Sequence, residues 1–371
     1  MASITKRPDG KWRARYRDPG GREHARHFAR KVDAEKWLDG IRGDLVHGVY
    51  IDPAAGRRAF GPYADEWQAM QVHRASTRAQ VEGLLRLHLL PAFRDRPLGA
   101  VRPSEVQAWV RGLSDQLSPG TVKLCYQYLS AIFRAAVADR LIPSSPCVKV
   151  KLPRVERKRV TPMATETVAA LVDAVQPRYR ALIVLGAGTG VRQGEAFGLT
   201  VDRVDFLRRT VRIDRQLVRL PGQPATFGPP KTAASVRTIP LPRVVVDALA
   251  AHLTAFPVGP DSFIFTNKTG QPLTRSSFSD HVWRPAARKV GLPAGVTFHD
   301  LRHYYASLLI RHAESVKTVQ ARLGHANAGE TLDTYSHLWP DSEDRTRDAV
   351  DHVLGLLDRA DDAAPLPAAA D

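Results

Sequence analysis

The chain has 371 residues, 43% of them hydrophobic, which is enough for two or three domains with real cores. Lys and Arg number 54 against 38 Asp and Glu, and the net charge of +16 favours a polyanionic partner over a merely soluble basic protein. Only two cysteines, Cys125 and Cys147, are present, which argues against a disulfide framework and a zinc ribbon. There is no signal-peptide pattern and no run of about 18 apolar residues, so we expect a cytoplasmic protein.

The first 50 residues predict a small basic unit. Ten Lys or Arg and three acids lie between Met1 and Lys31. Residues 11–16 alternate as a strand does, residues 18–21 form a turn, and residues 23–28 can pair back; we then expect Asp33 to cap a helix. So small a unit has little core, which favours contact with a nucleic acid, and the alternative is an expendable basic hairpin.

A helical bundle follows a linker that we place at residues 56–62. Apolar residues recur at helical spacing from Tyr63 to Ile142, which predicts four or five helices. Ser118 and Pro119 supply an N-cap and a first-turn proline for the last of them. A helical bundle alone indicates no function.

The segment from Lys149 to Arg159 holds six bases and one acid. Such a run is usually a solvated linker, but between two nucleic-acid-binding units it can also follow backbone phosphates. Beyond Thr161 the pattern is mixed, with helices at 165–175 and 180–185, strands at 211–213, 236–239 and 263–266, and a turn at 267–270.

Two further stretches invite a second interpretation. Gly186, Gly188 and Gly190 do not have the spacing of a nucleotide-binding loop, and the apolar stretch before them looks helical. Residues 345–359 predict an amphipathic helix, which either packs within the chain or docks on another copy. Its apolar side comprises Val350, Val353, Leu354 and Leu357.

Residues with reactive side chains concentrate between 297 and 339. The spacing of His299, Arg302 and His303 places them over one patch of a helix. Ser315 can cap a helix that ends at Gly324, so His325 lies on a turn, ten residues before Tyr335. Guanidinium and imidazole groups suit an anion rather than a metal ion, and a phenol adds a nucleophile. The set therefore indicates phosphoryl transfer through a phosphotyrosine, although each residue alone is more typical of a structural role.

The order of these residues resembles the tyrosine recombinases, the phage-integrase family, over about residues 161–340. Three motifs carry the resemblance. The first box of the family is similar to Thr189-Gly190-Val191-Arg192-Gln193-Gly194-Glu195. The family's second box is similar to three pieces of this chain: His299-x-x-Arg302-His303, Leu323-Gly324-His325 and Thr331-Leu332-x-x-Tyr335-Ser336-His337-Leu338. Between the boxes, the family's segment with a lysine on a β-hairpin is similar to Lys231-Thr232-x-x-Ser235-x-Arg237-x-Ile239-Pro240-Leu241.

The resemblance implies a multidomain fold, mainly α with small β-sheets. We expect an arm-type DNA-binding domain of a β-sheet plus a helix at residues 1–55 and a helical core-binding bundle at residues 60–148. A basic linker at 149–162 would lead to a mixed α+β catalytic domain at 163–345. A C-terminal helix with a disordered tail would follow at 346–371.

The resemblance also implies a site-specific DNA recombinase that integrates and excises a mobile element, with neither metal nor cofactor. Tyr335 would form a 3′-phosphotyrosyl intermediate, and Arg192 and Arg302 would contact the two non-bridging oxygens. Lys231 would protonate the leaving oxygen. His299 would act as base or phosphate donor, His325 would donate to the phosphate, Glu195 and His303 would support the site, and His337 should point elsewhere.

The implied partners are double-stranded DNA attachment sites and three further copies of the chain, which would form a tetramer through the C-terminal helix. A directionality factor or a host DNA-bending protein could join them, and no membrane is expected. Two alternatives use the same observations. A type IB topoisomerase would share the chemistry, but the basic N-terminal region favours recombination. A non-catalytic DNA-binding regulator would leave the reactive residues without a shared purpose.

Overall fold

The computed structural model describes residues 2–156, 159–220, 222–339 and 343–358. Contacts divide the described chain into two compact units, one ending at Glu156 and one following it, so the division falls inside the predicted linker. Both units are mainly helical with small sheets, as expected. No helix in the described ranges is long and apolar enough to cross a membrane. The tail that we expected to be disordered falls within residues 359–371, which lie outside the described ranges.

The N-terminal part of the first unit is an antiparallel sheet packed on one helix. The expected strand pair is present, and a third strand that we did not predict lies beside it because its four residues are too few to show alternation. Asp33 lies in the first turn of the helix and accepts hydrogen bonds from the Arg30 side chain, so the expectation that it caps the helix is wrong. The elements are β1 (Ser3–Lys6), β2 (Trp12–Arg17), β3 (Glu23–Phe28) and α1 (Lys31–Val46).

The rest of the first unit is the predicted helical bundle. Ser118 caps its last helix by accepting the N–H of Thr121 at 3.4 Å. The linker is shorter than predicted because Phe60 already begins a helix, where its ring packs against Phe93 and Phe133. The helices are α2 (Phe60–Met70), α3 (Ala75–Leu84), α4 (Leu90–Phe93), α5 (Pro103–Ser114) and α6 (Pro119–Ala138), with a π-helical turn between α3 and α4.

In the second unit, one buried helix organises the core. This helix, α8 (Pro177–Thr189), contacts α7 (Thr165–Ala174), α10 (Arg243–Ala255) and α13 (Asp300–Arg311). A Cβ atom on Gly186 would lie 2.8 Å from Phe298, and one on Gly188 would lie 2.4 Å from Val245, so these glycines allow close packing and form no nucleotide loop. The helices are α7 (Thr165–Ala174), α8 (Pro177–Thr189), α9 (Gln193–Phe197), α10 (Arg243–Ala255), α11 (Arg275–Phe278), α12 (Arg284–Lys289), α13 (Asp300–Arg311), α14 (Val316–Leu323), α15 (Ala328–Tyr335) and α16 (Glu343–Asp358).

The strands of the second unit form two small antiparallel sheets. Residues 263–266 were expected to form a strand but make only isolated bridges, at Phe263 and Thr266; the bridge at Thr266 pairs with Pro272, which has no N–H to extend a ladder. The turn at 267–270 is confirmed by a bond from the Gly270 N–H to the Asn267 carbonyl at 3.1 Å. One sheet has the order β4 (Val204–Asp205), β5 (Thr210–Ile213), β8 (Arg237–Pro240), and the hairpin pairs β6 (Gln216–Val218) with β7 (Thr226–Gly228).

Candidate active site

Arg302 lies at the centre of the site, where the ends of two other helices meet. Its side chain is only 2% exposed and donates from Nη1 to the carbonyl of Gly190 at 2.8 Å and from Nη2 to that of Leu323 at 2.7 Å. Gly190 ends α8 with a φ of +62°, and a Cβ atom there would lie 2.5 Å from the ring of Tyr305. The last carbonyls of a helix have no partner within the helix, and the guanidinium therefore supplies hydrogen-bond donors to those at the ends of α8 and α14.

Arg192 approaches the same place from the residue just before α9. Its Nη1 donates to Glu195 and to the hydroxyl of Ser235, both at 3.1 Å, and its Nη2 donates to the carbonyl of Gly324 at 3.1 Å. Gly324 ends α14 in the left-handed conformation, as predicted, with a φ of +66°. Residues of the motifs that are similar to the family's first and second boxes, Arg192 and Gly324, thus meet at the end of α14.

A third arginine, Arg237, belongs to this cluster and was missed as a site residue. Its Nη1 and Nη2 donate to the two oxygens of Glu195 at 3.2 and 2.9 Å, and its side chain is 6% exposed. Burial alone would raise the pKa of Glu195, but Arg237 and Arg192 outweigh it and the pKa is lowered. The sequence does contain a hint of this role, since Arg237 stands in the same motif as Lys231. The sequence does not show, however, that Arg237 contacts Glu195.

The three guanidinium groups outnumber the single buried carboxylate between them. Burial, together with Arg192 and Arg237, lowers the pKa of Arg302. Because arginine stays protonated in proteins, this shift represents an electrostatic cost that a bound anion would relieve. The charge and donors of the cluster therefore suit an anion, which we expected at this place from the sequence.

Tyr335, at the end of α15, lies beside two histidines. It is 1% exposed, and its hydroxyl oxygen is 2.9 Å from Nδ1 of His303. The ring of His325 stacks on it with 6.4 Å between centroids, while Nδ1 of His325 is 2.8 Å from the hydroxyl of Thr331. Burial raises the pKa of Tyr335 to about 12, although Arg302 opposes the shift.

The remaining histidines occupy different positions. His299 directly precedes α13, is exposed, and places its ring edge-on to His303 with 4.9 Å between centroids. Although the residue is exposed, its ring packs against His303, and the loss of solvent there, followed by the effects of His303 and Arg302, lowers the pKa of His299. His337 lies 2.9 Å from the carbonyl of Val160 and points away from the site, as expected.

Among the described residues, Lys231 makes no hydrogen bond or ion pair to the guanidinium cluster. It is exposed and follows β7 instead of lying on a strand of the hairpin, which corrects the expectation from the family pattern. It has no hydrogen bond or ion pair among the described residues. Its neighbour Thr232 does reach the site, because its hydroxyl is 2.9 Å from that of Ser235, which accepts from Arg192.

Models of known families match the chain in three consecutive parts. The model of the phage integrase family matches residues 162–341, that of the phage integrase N-terminal domain matches residues 2–46, and that of the phage integrase central domain matches residues 60–152. The first of these ranges contains every residue of the anion site and Tyr335.

Individual proteins give the same result. The putative prophage phiRv2 integrase of Mycobacterium tuberculosis (strain H37Rv) is 29% identical, with 88% of this chain and 89% of that protein covered. The tyrosine recombinase XerC-like protein of Caldanaerobacter subterraneus is 27% identical, with 66% and 69% covered.

Solved structures share the fold. The Tn1549 transposon integrase in complex with a circular intermediate DNA matches with a TM-score of 0.67 at 23% identity, covering 80% of this chain and 99% of that one. A lambda integrase tetramer bound to a Holliday junction matches with a TM-score of 0.58 at 19% identity, covering 88% and 96%. The chain belongs to the phage integrase family and is a site-specific recombinase of the tyrosine recombinase class.

Proposed function

We propose that this recombinase cuts and rejoins duplex DNA at attachment sites through a 3′-phosphotyrosyl bond to Tyr335, and so integrates and excises a mobile element. The observation that carries the proposal is that the buried Tyr335 hydroxyl lies 2.9 Å from His303, next in sequence to Arg302 of the guanidinium cluster, whose charge acts on the Tyr335 phenol. The prophage and transposon integrases among the similar proteins support the mobile element as the context. They favour recombination over the topoisomerase and regulator alternatives.

In this proposal, Arg192 and Arg302 bind the two non-bridging oxygens of the scissile phosphate. A guanidinium has five N–H donors, and the carbonyls of Gly190 and Leu323 occupy only two of those of Arg302. The remaining donors are held in place before DNA arrives, so they stabilise the charge of the transition state without reorganisation. His325 donates to the same phosphate from Nε2, since its Nδ1 faces Thr331.

Lys231 protonates the 5′ oxygen as it leaves, and His299 serves as a further phosphate donor. Glu195 acts indirectly, because its carboxylate orients Arg192 and Arg237. The reaction replaces one phosphate ester by another, so the energy of the broken linkage is kept in the phosphotyrosyl bond and the strand can be rejoined by a 5′ hydroxyl without ATP.

We also propose that the chain works as a tetramer on DNA, with α16 docking on a neighbouring copy. Val350, Val353 and Leu354 on this helix are 48%, 62% and 53% exposed, as expected of a helix whose apolar side needs a partner. A directionality factor or DNA-bending host protein would control the direction of strand exchange, and the cytoplasm, where bacterial DNA lies, would be the place of the reaction.

Tyr335→Phe tests the proposal. The probes are nicked duplexes that tile the DNA flanking the gene for this chain, because cleavage beside a nick releases the short strand and traps the enzyme. The unaltered protein should form an adduct that survives denaturing gels, and Tyr335→Phe should bind the same duplex without forming one. Tyr304→Phe is the matched control, since that buried phenol donates to Thr165 outside the site. An undiminished adduct with Tyr335→Phe would remove Tyr335 from the reaction.

A further inference from the structure

The hydroxyl of Tyr335 has a partner that the sequence had placed in a supporting role. Its oxygen lies 2.9 Å from Nδ1 of His303, and the two rings meet at 65° with 5.6 Å between centroids. In the described structure, neither His299 nor His325 makes a hydrogen bond to this oxygen. The histidine that faces the nucleophile is therefore the one next to Arg302 in sequence.

The other bases near the site are already engaged. Glu195 is shared by Arg192 and Arg237. Asp300 accepts from the N–H and the hydroxyl of Thr297 at 2.7 and 3.1 Å. Nδ1 of His325 faces Thr331, and its Nε2 lies 3.7 Å from Glu330.

Because of this geometry, we propose that His303, not His299, is the general base that takes the proton from Tyr335. This inference rests on the proposed function and names a residue for one of its steps. His303 thereby becomes a catalytic residue, since it touches the attacking atom, while the ring of His299 packs edge-on against that of His303.

The protonation states agree with this role. Burial, with Arg302 nearby, lowers the pKa of His303 although Asp300 acts in the opposite direction. The imidazole is then neutral near neutral pH and can accept a proton. The phenol needs such a base, because burial raises the pKa of Tyr335 to about 12.

The step balances as follows. The proton of the Tyr335 hydroxyl passes to Nδ1 of His303, which becomes an imidazolium. The phenolate oxygen forms a bond to phosphorus, the bond from phosphorus to the 5′ oxygen breaks, and Lys231 gives that oxygen a proton. Religation runs the same transfers backwards and returns both side chains to their starting charge.

His303→Asn separates a base from a positioning group. The Oδ1 atom of asparagine can occupy the place of Nδ1 and accept the hydrogen bond, but an amide cannot keep the proton. We expect the single-turnover rate of adduct formation on the nicked duplexes to fall about 10²-fold at neutral pH and to rise with pH, because hydroxide must replace the base. His312→Asn, at the exposed end of the same helix, should keep the original rate.

The outcomes are distinguishable. A wild-type rate for His303→Asn would overturn the inference and leave His303 a positioning residue, while the adduct of the unaltered chain would still support the proposed function. Absence of that adduct would overturn both. As an independent measurement, 15N shifts of the DNA-free protein near pH 7 should show an unprotonated Nδ1 on His303; a protonated Nδ1 would already be the donor to Tyr335 and would also overturn the inference.

Discussion

The two sides of the site differ in how firmly the protein holds them. On the buried side, Arg302 and Tyr335 are 2% and 1% exposed, and hydrogen bonds from three separate helices fix their polar atoms. On the open side, Lys231 is exposed and has no hydrogen bond or ion pair to the described residues. The guanidinium groups and the phenol that we propose as the nucleophile are thus arranged before DNA binds, whereas the lysine that we propose as the acid is not.

This difference has a physical cause. Like charges stay close together only where backbone carbonyls and a carboxylate compensate them, so the guanidinium cluster requires a rigid and buried frame. A lysine that meets the leaving oxygen must be able to approach DNA from outside that frame. Substitutions on the buried side should therefore change stability and rate together, and those on the open side should change rate alone.

Arg302→Ala should have the largest effect. The variant loses a phosphate donor, which typically costs about 10³-fold in rate. It also leaves the carbonyls of Gly190 and Leu323 buried without donors, at about 1–3 kcal/mol each in the free energy of unfolding. Single-turnover cleavage and urea unfolding measure the two losses. Arg311→Ala, at the exposed end of α13, is the control and should change neither; a stable Arg302→Ala would show that the frame does not depend on this guanidinium.

Lys231→Ala should have a smaller effect, confined to chemistry. We expect about a 10²-fold loss of cleavage rate with an unchanged melting temperature, because the side chain is exposed. A substrate with sulfur in place of the 5′ bridging oxygen should restore the rate, since a thiolate leaves without a proton. Lys268→Ala, in an exposed turn of the same unit, should behave as the original protein. Failure of the sulfur substrate to restore Lys231→Ala would argue against Lys231 as the acid.

The pH dependence of stability should show the smallest effect and come from the buried side. Burial lowers the pKa of His325 to about 4, from an ordinary value near 6.5, so the unfolded chain binds the proton more readily. Stability is therefore present above about pH 6.5 and is lost as the pH falls toward about 4. The lowered pKa of Glu195 acts in the same direction at still lower pH, because its stabilisation is lost as the carboxylate becomes protonated.

Urea unfolding near pH 7 and near pH 5 tests this expectation, with a predicted loss of about 1–2 kcal/mol from His325 at the lower pH. His325→Gln should reduce the difference between the two conditions. Equal pH dependence in His325→Gln and the original chain would place the titrating groups elsewhere in the molecule.

Local features were predicted well because they depend on neighbouring residues. Ser118 and Ser315 cap their helices as expected, since a hydroxyl three residues before a free N–H needs no distant partner. Gly324 ends α14 in the left-handed conformation for a similar reason. Elements that depend on distant pairing were harder to predict, as β1 and the missing strand at 263–266 show.

By itself, the sequence predicted four residues of the candidate site, Arg192, Arg302, His325 and Tyr335, because they stand in motifs whose order can be recognised, although it did not predict Arg237. Only the tertiary structure decided which of these side chains contact one another. Helical spacing places His299, Arg302 and His303 on one patch, but the packing of α14 on both α13 and α15 brings the phenol to His303, and the position of β8 brings Arg237 to Glu195. These contacts join residues 32 and 42 positions apart, a separation at which no local rule of the backbone acts.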